Sequence, residues 1–517
     1  MRANEQPHQK DGRQGKHRFA GYLSWLWLAI AAVLLPFSNG ADTISLAAWL
    51  APVFLLRFVR VQSFKVGVPV AYALLIAAFT YQFRGMIPIP GIGHAIFLAV
   101  WGMQLVLPYI VDRFMIGRLS GLTASLAFPT TWVVAEFVLS RGPYGTWGSA
   151  AYSQYGNLGL LQILTVTGLW GITFLIGWLA SVCNWLLEDG LGPTHTRLAA
   201  WLCFGTIMIV ILLGSARLAL FPPSSQTVRV ASISARQVAT HPSAPIIGRI
   251  WNGKATKADS DEFRMWAVAT DNDLLVRAEQ EMQAGAKIVF WAEINAEVLK
   301  GDEAGFVARG GELAEKYNAY LGMALAVHKE EGTSANENKM ILIRPDGQVA
   351  WEYNKVRPVP GDLQVFGDGK LRVSETPYGR LSSIICFDGD FPQVVAQAGH
   401  LKADILLDPS NDWHAIDPWH TQMASFRAIE QGMNLVRQTS RGRSAAFDYQ
   451  GRELASMDHF RSTNLAMVSE IPSRGVRTIY SVLGDWFAWI CLTAIAVLLA
   501  LSLGKTRVGV IHQTAKK

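Results

Sequence analysis

The chain has 517 residues, half of them hydrophobic, and 46 Lys and Arg against 40 Asp and Glu give it a net charge of +6. That length exceeds one ordinary core, and the apolar residues crowd into the first two-fifths and a last segment near Trp486–Leu503, which excludes a single soluble domain. The four cysteines (Cys183, Cys203, Cys386 and Cys491) supply neither a disulfide framework nor a Cys/His zinc pattern.

Residues 1–18 are polar and basic and read as a disordered tail. The apolar run that starts at Phe19 is followed by no clear small-residue cleavage site, so it reads as a retained span rather than a signal peptide. Seven candidate spans follow one another near 20–37, 45–60, 67–83, 92–111, 121–140, 158–187 and 198–220, making a membrane domain over 19–221, and an eighth lies at 484–504. Prolines at Ile87–Ile92 (IPIPGI) and Ala127–Thr130 (AFPT) are the expected sites of bending or breakage. Positive charge gathers on one side: the N-terminal tail, the Arg57–Lys65 and Arg113–Arg118 loops, Arg197 and the 505–517 tail. The opposite loops carry only Arg84 and Arg141. With the basic side cytoplasmic, both termini lie inside and the segment between spans seven and eight lies outside. This patterning accounts for the net charge without nucleic acid.

After the linker Pro222–Thr227 (PPSSQT), residues 228–482 alternate strand-like runs (VRVASISA, AKIVFWAE, AYLGMALAV, MILIRPDGQVAWEY, LSSIICFD, ADILLDPS, LVRQTS) with helical patterns such as Asp271–Ala284 and His420–Gln431. The expected fold is an α+β membrane protein with a layered domain inserted before the last helix.

Three strand ends in that insert carry chemistry. Cys386 ends the run LSSIICFD before acidic residues, Gly389 and Pro392, the layout of a strand stopping at a sharp turn. Alone it reads more readily as a buried inert thiol, free Cys being among the most buried residue types. Glu293 closes IVFWAE and Lys355 follows a strand–turn–strand; taken singly, these are an ordinary strand-end acid and a loop lysine. Together they supply a thiol nucleophile, a carboxylate base and a fixed ammonium for a tetrahedral oxyanion, the parts of acyl transfer through a thioester.

WAE at Trp291–Glu293, YNK at Tyr353–Lys355 and CFD at Cys386–Asp388 resemble the Glu–Lys–Cys signature of the nitrilase (carbon–nitrogen hydrolase) superfamily. Within it the pattern is most similar to the apolipoprotein N-acyltransferases, a likeness that continues through Asn411–Arg452 and the seven-plus-one spans. The resemblance implies an αββα sandwich at the periplasmic face of a bacterial inner membrane. It also implies a monomer in which Cys386 takes an acyl chain from a phospholipid and passes it to the α-amine of a diacylglyceryl lipoprotein, with no metal or other cofactor. Asp362, Phe387 and Asp388 are placed beside the triad by the same resemblance, and Trp251, Trp413 and Trp419 read either as lining a lipid path or as membrane-interface anchors, where Trp is enriched. The chain departs from the family at Ala292 (commonly Pro), Phe387 (commonly Tyr), Asp388 (commonly Glu) and the loop Val359–Asp362, one residue shorter and ending in Asp.

Other signals are discounted. Gly248–Lys254 imitates a phosphate loop but lacks its Ser/Thr, having Ala255 there. His414 and His420 near Asp417 hint at a metal site without an evident third ligand and read as solvated loop histidines. Two competing functions stay open: a membrane-tethered amidase that hydrolyses its thioester, and a degenerate, non-catalytic paralogue.

Overall fold

The computed structural model describes residues 11–329, 336–362 and 364–504. Among them, long helices run over Asp11–Leu34, Ser45–Val61, Phe64–Gln82, Gly91–Met115, Gly121–Leu139, Leu169–Asp189, Thr194–Leu220 and Trp486–Leu503. Six of these are long and apolar enough to cross a membrane, Asp11–Leu34 and Ser45–Val61 standing outside that set. The outward faces are apolar: on Thr194–Leu220, Trp201, Met208, Leu212 and Leu213 are all exposed, as a hydrocarbon solvent requires.

Three expectations change here. The first helix begins at Asp11, inside the stretch read as a disordered tail, because Arg, Gln and Lys there are good helix formers and no proline intervenes; residues 1–10 and 505–517 lie outside the described residues. The prolines of 87–90 do fall between helices, but Pro129 sits within the continuous helix Gly121–Leu139, whose adjoining turn is held by Thr130 and Thr131 hydroxyls on the Leu126 and Ala127 carbonyls. The sixth span is not one helix. It is two short pieces, Leu158–Leu161 and Leu164–Thr167, followed by Leu169–Asp189. The break is at Gly168, which adopts φ +63 and leaves room for the Tyr480 ring, only 2.4 Å from where a Cβ would stand.

The insert is built from β1 (Thr227–Ile233), β2 (Ile288–Trp291), β3 (Ala296–Leu299), β4 (Tyr320–His328), β5 (Glu337–Ile343), β6 (Val349–Asn354), β7 (Val373–Thr376), β8 (Gly379–Ser383), β9 (Ile405–Asn411), β10 (Asn434–Ser440), β11 (Arg443–Phe447), β12 (Glu453–Asp458) and β13 (Ala466–Pro472). One sheet has the order β13-β1-β2-β4-β5-β6, with β3 alongside β4; the other is β12-β11-β10-β9-β8-β7. In each sheet the parallel strands form the centre and antiparallel strands the flanks. Parallel strands are buried on both faces, which is why β2 and β4 read as near-continuous apolar runs; β10 (NLVRQTS) is buried throughout as well, but carries the polar side chains Arg437 and Gln438.

The sheets lie face to face over one apolar core, tied by Ser232 and Ser234 to Gln438 at 2.7 and 2.8 Å. Helices Lys257–Gln283 and Glu303–Tyr317 cover the first sheet, and Pro392–His400 and Trp419–Gln431 the second. The architecture is an αββα sandwich inserted before the last membrane helix.

The sandwich rests on the membrane helices through its second helical layer. The Thr146 amide and hydroxyl donate to the Asp390 carbonyl at 2.8 and 2.9 Å, Arg427 donates to the Tyr152 hydroxyl at 2.6 Å, and the Leu169 amide to Glu430 at 3.0 Å. A single apolar cluster joins Phe79, Phe83, Trp101 and Trp147 to Ile416, Trp419, Met423 and Phe426. The Arg84 and Arg141 loops face the sandwich, paired to Asp42 and Asp485 at 2.7 and 2.6 Å.

Candidate active site

Each of the three singled-out residues stands just past the end of a strand. β2 ends at Trp291, two residues before Glu293. β6 ends at Asn354, immediately before Lys355. β8 ends at Ser383, and Cys386 opens a 3₁₀ turn, Cys386–Asp390, instead of extending the strand. Cys386 has φ +50, and Ile294 beside Glu293 has φ +48. Such angles are rare for side chains with a Cβ and cluster at functional sites.

The structure brings the three together. Lys355 Nζ lies 2.6 Å from Glu293 Oε1, which also accepts from Asn338 Nδ2 at 2.7 Å. All three residues are buried. Burial works against the Lys355 charge, but Glu293 and Cys386 more than offset it and keep the ammonium above its ordinary value. Burial and then the Glu293 charge drive the Cys386 thiol well above its usual range, with Lys355 pulling the other way. The resting sulfur is therefore a thiol, and attack requires a base.

Asp388 is a brace for this arrangement. Its carboxylate accepts from the Tyr353 hydroxyl at 2.7 Å, the Ile385 amide at 3.1 Å, and the amides of Val356 and Arg357 at 3.1 and 2.7 Å. One side chain thus pins the loop after Lys355 to the turn that presents Cys386. Burial lifts its carboxyl to about 6 despite those bonds. Asp362 is exposed at the pocket loop; protein packed around its carboxyl partly strips it of water and raises it while Lys355 lowers it, so it lies within electrostatic reach of the lysine.

Sequence reasoning missed a second layer. The Cys386 amide donates to Asp408 Oδ1 at 2.9 Å, and Asp408 Oδ2 accepts from Arg437 at 2.6 Å. Arg437 also donates to Asp412 at 3.0 Å, and its Nη2 lies 2.8 Å from His420 Nδ1. His420 meets Asp412 at 2.8 Å through Nδ1 and Asp390 at 3.2 Å through Nε2. It is not a solvated loop histidine: it is 3% exposed, because helix Trp419–Gln431 packs that face against the second sheet. Its expected partner Asp417 instead accepts from the Arg443 amide at 2.6 Å. Burial and Arg437 oppose charge on His420, but Asp390 and Asp412 outweigh them and hold the imidazole up to about 9. Cys386, Asp412 and His420 place one sulfur, oxygen and nitrogen within 4.8 Å of one another. The set does not suit a metal, since the Arg437 guanidinium already lies on both Asp412 and His420.

Cys386 opens into an apolar pocket made by both parts of the chain. Val359, Pro360, Phe387, Trp413, Ile416 and His420 supply the sandwich side, while Met86–Ile89, Phe97, Tyr144 and Trp147 supply the membrane side. Trp413 Nε1 donates to the Gly85 carbonyl at 3.0 Å, fastening the two walls. Trp413 and Phe387 therefore join the site. Trp251 does not: its ring packs on His328 at 4.9 Å, at the end of helix Ala244–Trp251. The discounted Gly248–Lys254 stretch is the end of that helix and a turn.

Residues 267–478 match the family model for carbon-nitrogen hydrolase, and residues 31–182 match that for the apolipoprotein N-acyltransferase N-terminal domain. The chain is similar to an apolipoprotein N-acyltransferase of Geobacter metallireducens, with 25% identity over 92% of this chain and 95% of the relative. Another, from Bradyrhizobium diazoefficiens, is 27% identical over 73% of each. Among solved structures, an amidase from Nesterenkonia sp. aligns with 48% of this chain and 92% of its own at 17% identity, with a TM-score of 0.37. With both family models matched in their order along a multi-pass membrane frame, the chain belongs to the apolipoprotein N-acyltransferase family within the carbon–nitrogen hydrolase superfamily.

Proposed function

We propose that the protein transfers an acyl chain from a phospholipid, through a thioester on Cys386, to the α-amine of a diacylglyceryl lipoprotein N-terminus. The observation that carries this reading is the pocket. The thiol, with its Glu293–Lys355 pair, opens into an apolar space walled on one side by the membrane domain. A lipid chain can reach the sulfur there without crossing water.

In this reading Glu293 takes the Cys386 proton as sulfur attacks the ester carbonyl, and Lys355 neutralises the tetrahedral oxyanion. Asp388 keeps the lysine loop on the cysteine turn, and Asp362 adds negative charge near Lys355. Phe387 and Trp413 line the chain's path. The concentration of Lys and Arg in loops on the far side from the sandwich supports a cytoplasmic location for those loops and a periplasmic one for residues 228–482. The protein works as a monomer, with lipid and lipoprotein as its partners.

The test is intact-mass analysis of purified full-length protein in detergent after incubation with phospholipid alone. A hydroxylamine-sensitive gain of one acyl chain, absent in Cys386→Ala, is expected, and a diacylated lipopeptide should then remove it as an amide. Loss of the chain to water with lipopeptide present would favour the amidase. No adduct from phospholipid would sink this donor assignment.

A further inference from the structure

Thioester formation takes one proton from sulfur and delivers one to the departing glyceryl oxygen. When the ester C–O bond breaks, the departing glyceryl oxygen is a poor leaving group unless it is protonated as it leaves. Glu293, holding the thiol proton, has its Oε1 engaged by both Lys355 and Asn338. A second ionisable group shares the pocket with the sulfur. His420 lines the same cavity as Cys386, with a ring nitrogen within 4.8 Å of Sγ.

The surroundings of that imidazole are those of a held acid rather than of a packing residue. Two carboxylates flank it, Asp412 at Nδ1 and Asp390 at Nε2. Arg437 Nη2 reaches both Asp412 Oδ1 at 3.0 Å and the Nδ1 edge of the ring at 2.8 Å, fixing that edge and leaving the Nε2 edge to Asp390, and the Trp147 ring packs edge-on at 5.9 Å. Asp390 is buried and its second oxygen, Oδ2, has no partner, so the dyad is not a saturated structural network. The longer contact, Nε2 to Asp390 at 3.2 Å, is the one a substrate oxygen would replace.

Resting on the acyl-transfer reading above, we propose that His420, positioned by Asp390, Asp412 and Arg437, is a second acid–base catalytic residue that serves the leaving and entering groups while Glu293 serves the sulfur. In the first half-reaction the S–C bond forms and the C–O bond breaks. The thiol proton goes to Glu293, and the imidazolium proton goes to the glyceryl oxygen. In the second, the neutral α-amine attacks the thioester, N–C forms and S–C breaks. The amine proton returns to the imidazole, and the Glu293 proton returns to the sulfur. Both groups end as they began.

The experiment compares acyl donors that differ in their need for that proton. Full-length wild type, His420→Gln and His420→Asn are incubated in detergent with p-nitrophenyl palmitate, monopalmitoylglycerol or a dipalmitoyl phospholipid, and Cys386 acylation is timed by intact mass. The phenolate leaves unprotonated, so the variants should lose less than about threefold with the aryl ester but about 100-fold or more with the two glyceryl esters. Reaction with the aryl ester also counts correctly folded sites. Equal losses on all donors would overturn the proposal and make His420 a structural residue, as would no loss on any. If wild type reacts with monopalmitoylglycerol and not with phospholipid, the donor assignment fails, while the glyceryl-to-aryl ratio still decides the role of His420.

Discussion

Arg437 is the most consequential side chain in the site that touches neither the thiol nor its base. It is fully buried on β10 and is shared by Asp408, Asp412, His420 and the Thr421 hydroxyl. Arg437→Met keeps the volume and removes the charge, leaving two carboxylates in the interior. Breaking a buried pair by deleting one partner costs about 3–5 kcal/mol. For a domain of this size that is a fall of roughly 10 °C in melting temperature. Asp412 retains His420, so Asp408 bears most of the loss, and its hold on the Cys386 amide weakens with it.

The pH dependence gives the sharper signature. In the wild type, burial raises Asp412 but Arg437 and His420 more than offset it and hold the carboxyl below its ordinary value. That stability is present above an unfolded value of about 3.9 and is lost only as pH falls through the lower folded value. In the variant, burial of Asp408 is no longer countered by its chief opposing charge, so its folded value rises further above the unfolded one. Variant stability therefore falls as pH rises from about 4 toward that folded value. The gap between wild type and variant should widen from pH 5 to pH 8. Melting of both proteins in detergent, followed by tryptophan fluorescence at the two pH values, measures it. A variant melting within about 2 °C of wild type at pH 8, or a gap that narrows with rising pH, would refute the electrostatic account.

Cys386→Ser should abolish acylation, because a hydroxyl beside this base stays protonated; substantial turnover in a phospholipid assay would mean that another group is the nucleophile. Glu293→Gln should stop thioester formation while phospholipid binding, followed by retention on lipid vesicles, stays within about threefold, since the amide keeps the shape but cannot take the thiol proton. Wild-type acylation should fall as pH drops through about 6, where Asp388 becomes a carboxylic acid whose own proton faces four donors; in Asp388→Asn the rate should be lower throughout and this step missing, and an unchanged acid limb would assign the titration elsewhere. Gly168→Ala should destabilise the fold by about 2–4 kcal/mol in thermal melting, from the left-handed backbone and the Tyr480 ring at 2.4 Å, and a neutral result would show that the break before Leu169–Asp189 is not fixed by this packing.

Much of the site was legible in the chain because its parts are locally encoded. An apolar run stopped by acids, glycine and proline marks a strand end, and Glu293, Lys355 and Cys386 each sit where such a run stops. The membrane helices were legible for the same reason, since a hydrocarbon solvent demands long apolar stretches wherever a segment crosses. The break at Gly168 escaped because hydropathy does not see a reversal of φ, and the placement of Trp251 on His328 escaped because a tryptophan's neighbours are not written near it in sequence.

What only the tertiary structure decided is which distant side chains share the pocket. Asp408 faces Arg437 because β9 and β10 are parallel neighbours in that register, and a shift of one residue would send either side chain to the opposite face of the sheet. His420 reaches Cys386 because helix Trp419–Gln431 packs over the same sheet, and Met86–Ile89 meets Trp413 because the sandwich rests on the membrane helices. Sequence alone determined the elements and the ends where chemistry could stand. Convergence of charges across register and layers is non-local, so the buried His420 cluster beside Cys386 and the wall that the membrane domain lends the pocket exist only in the folded molecule.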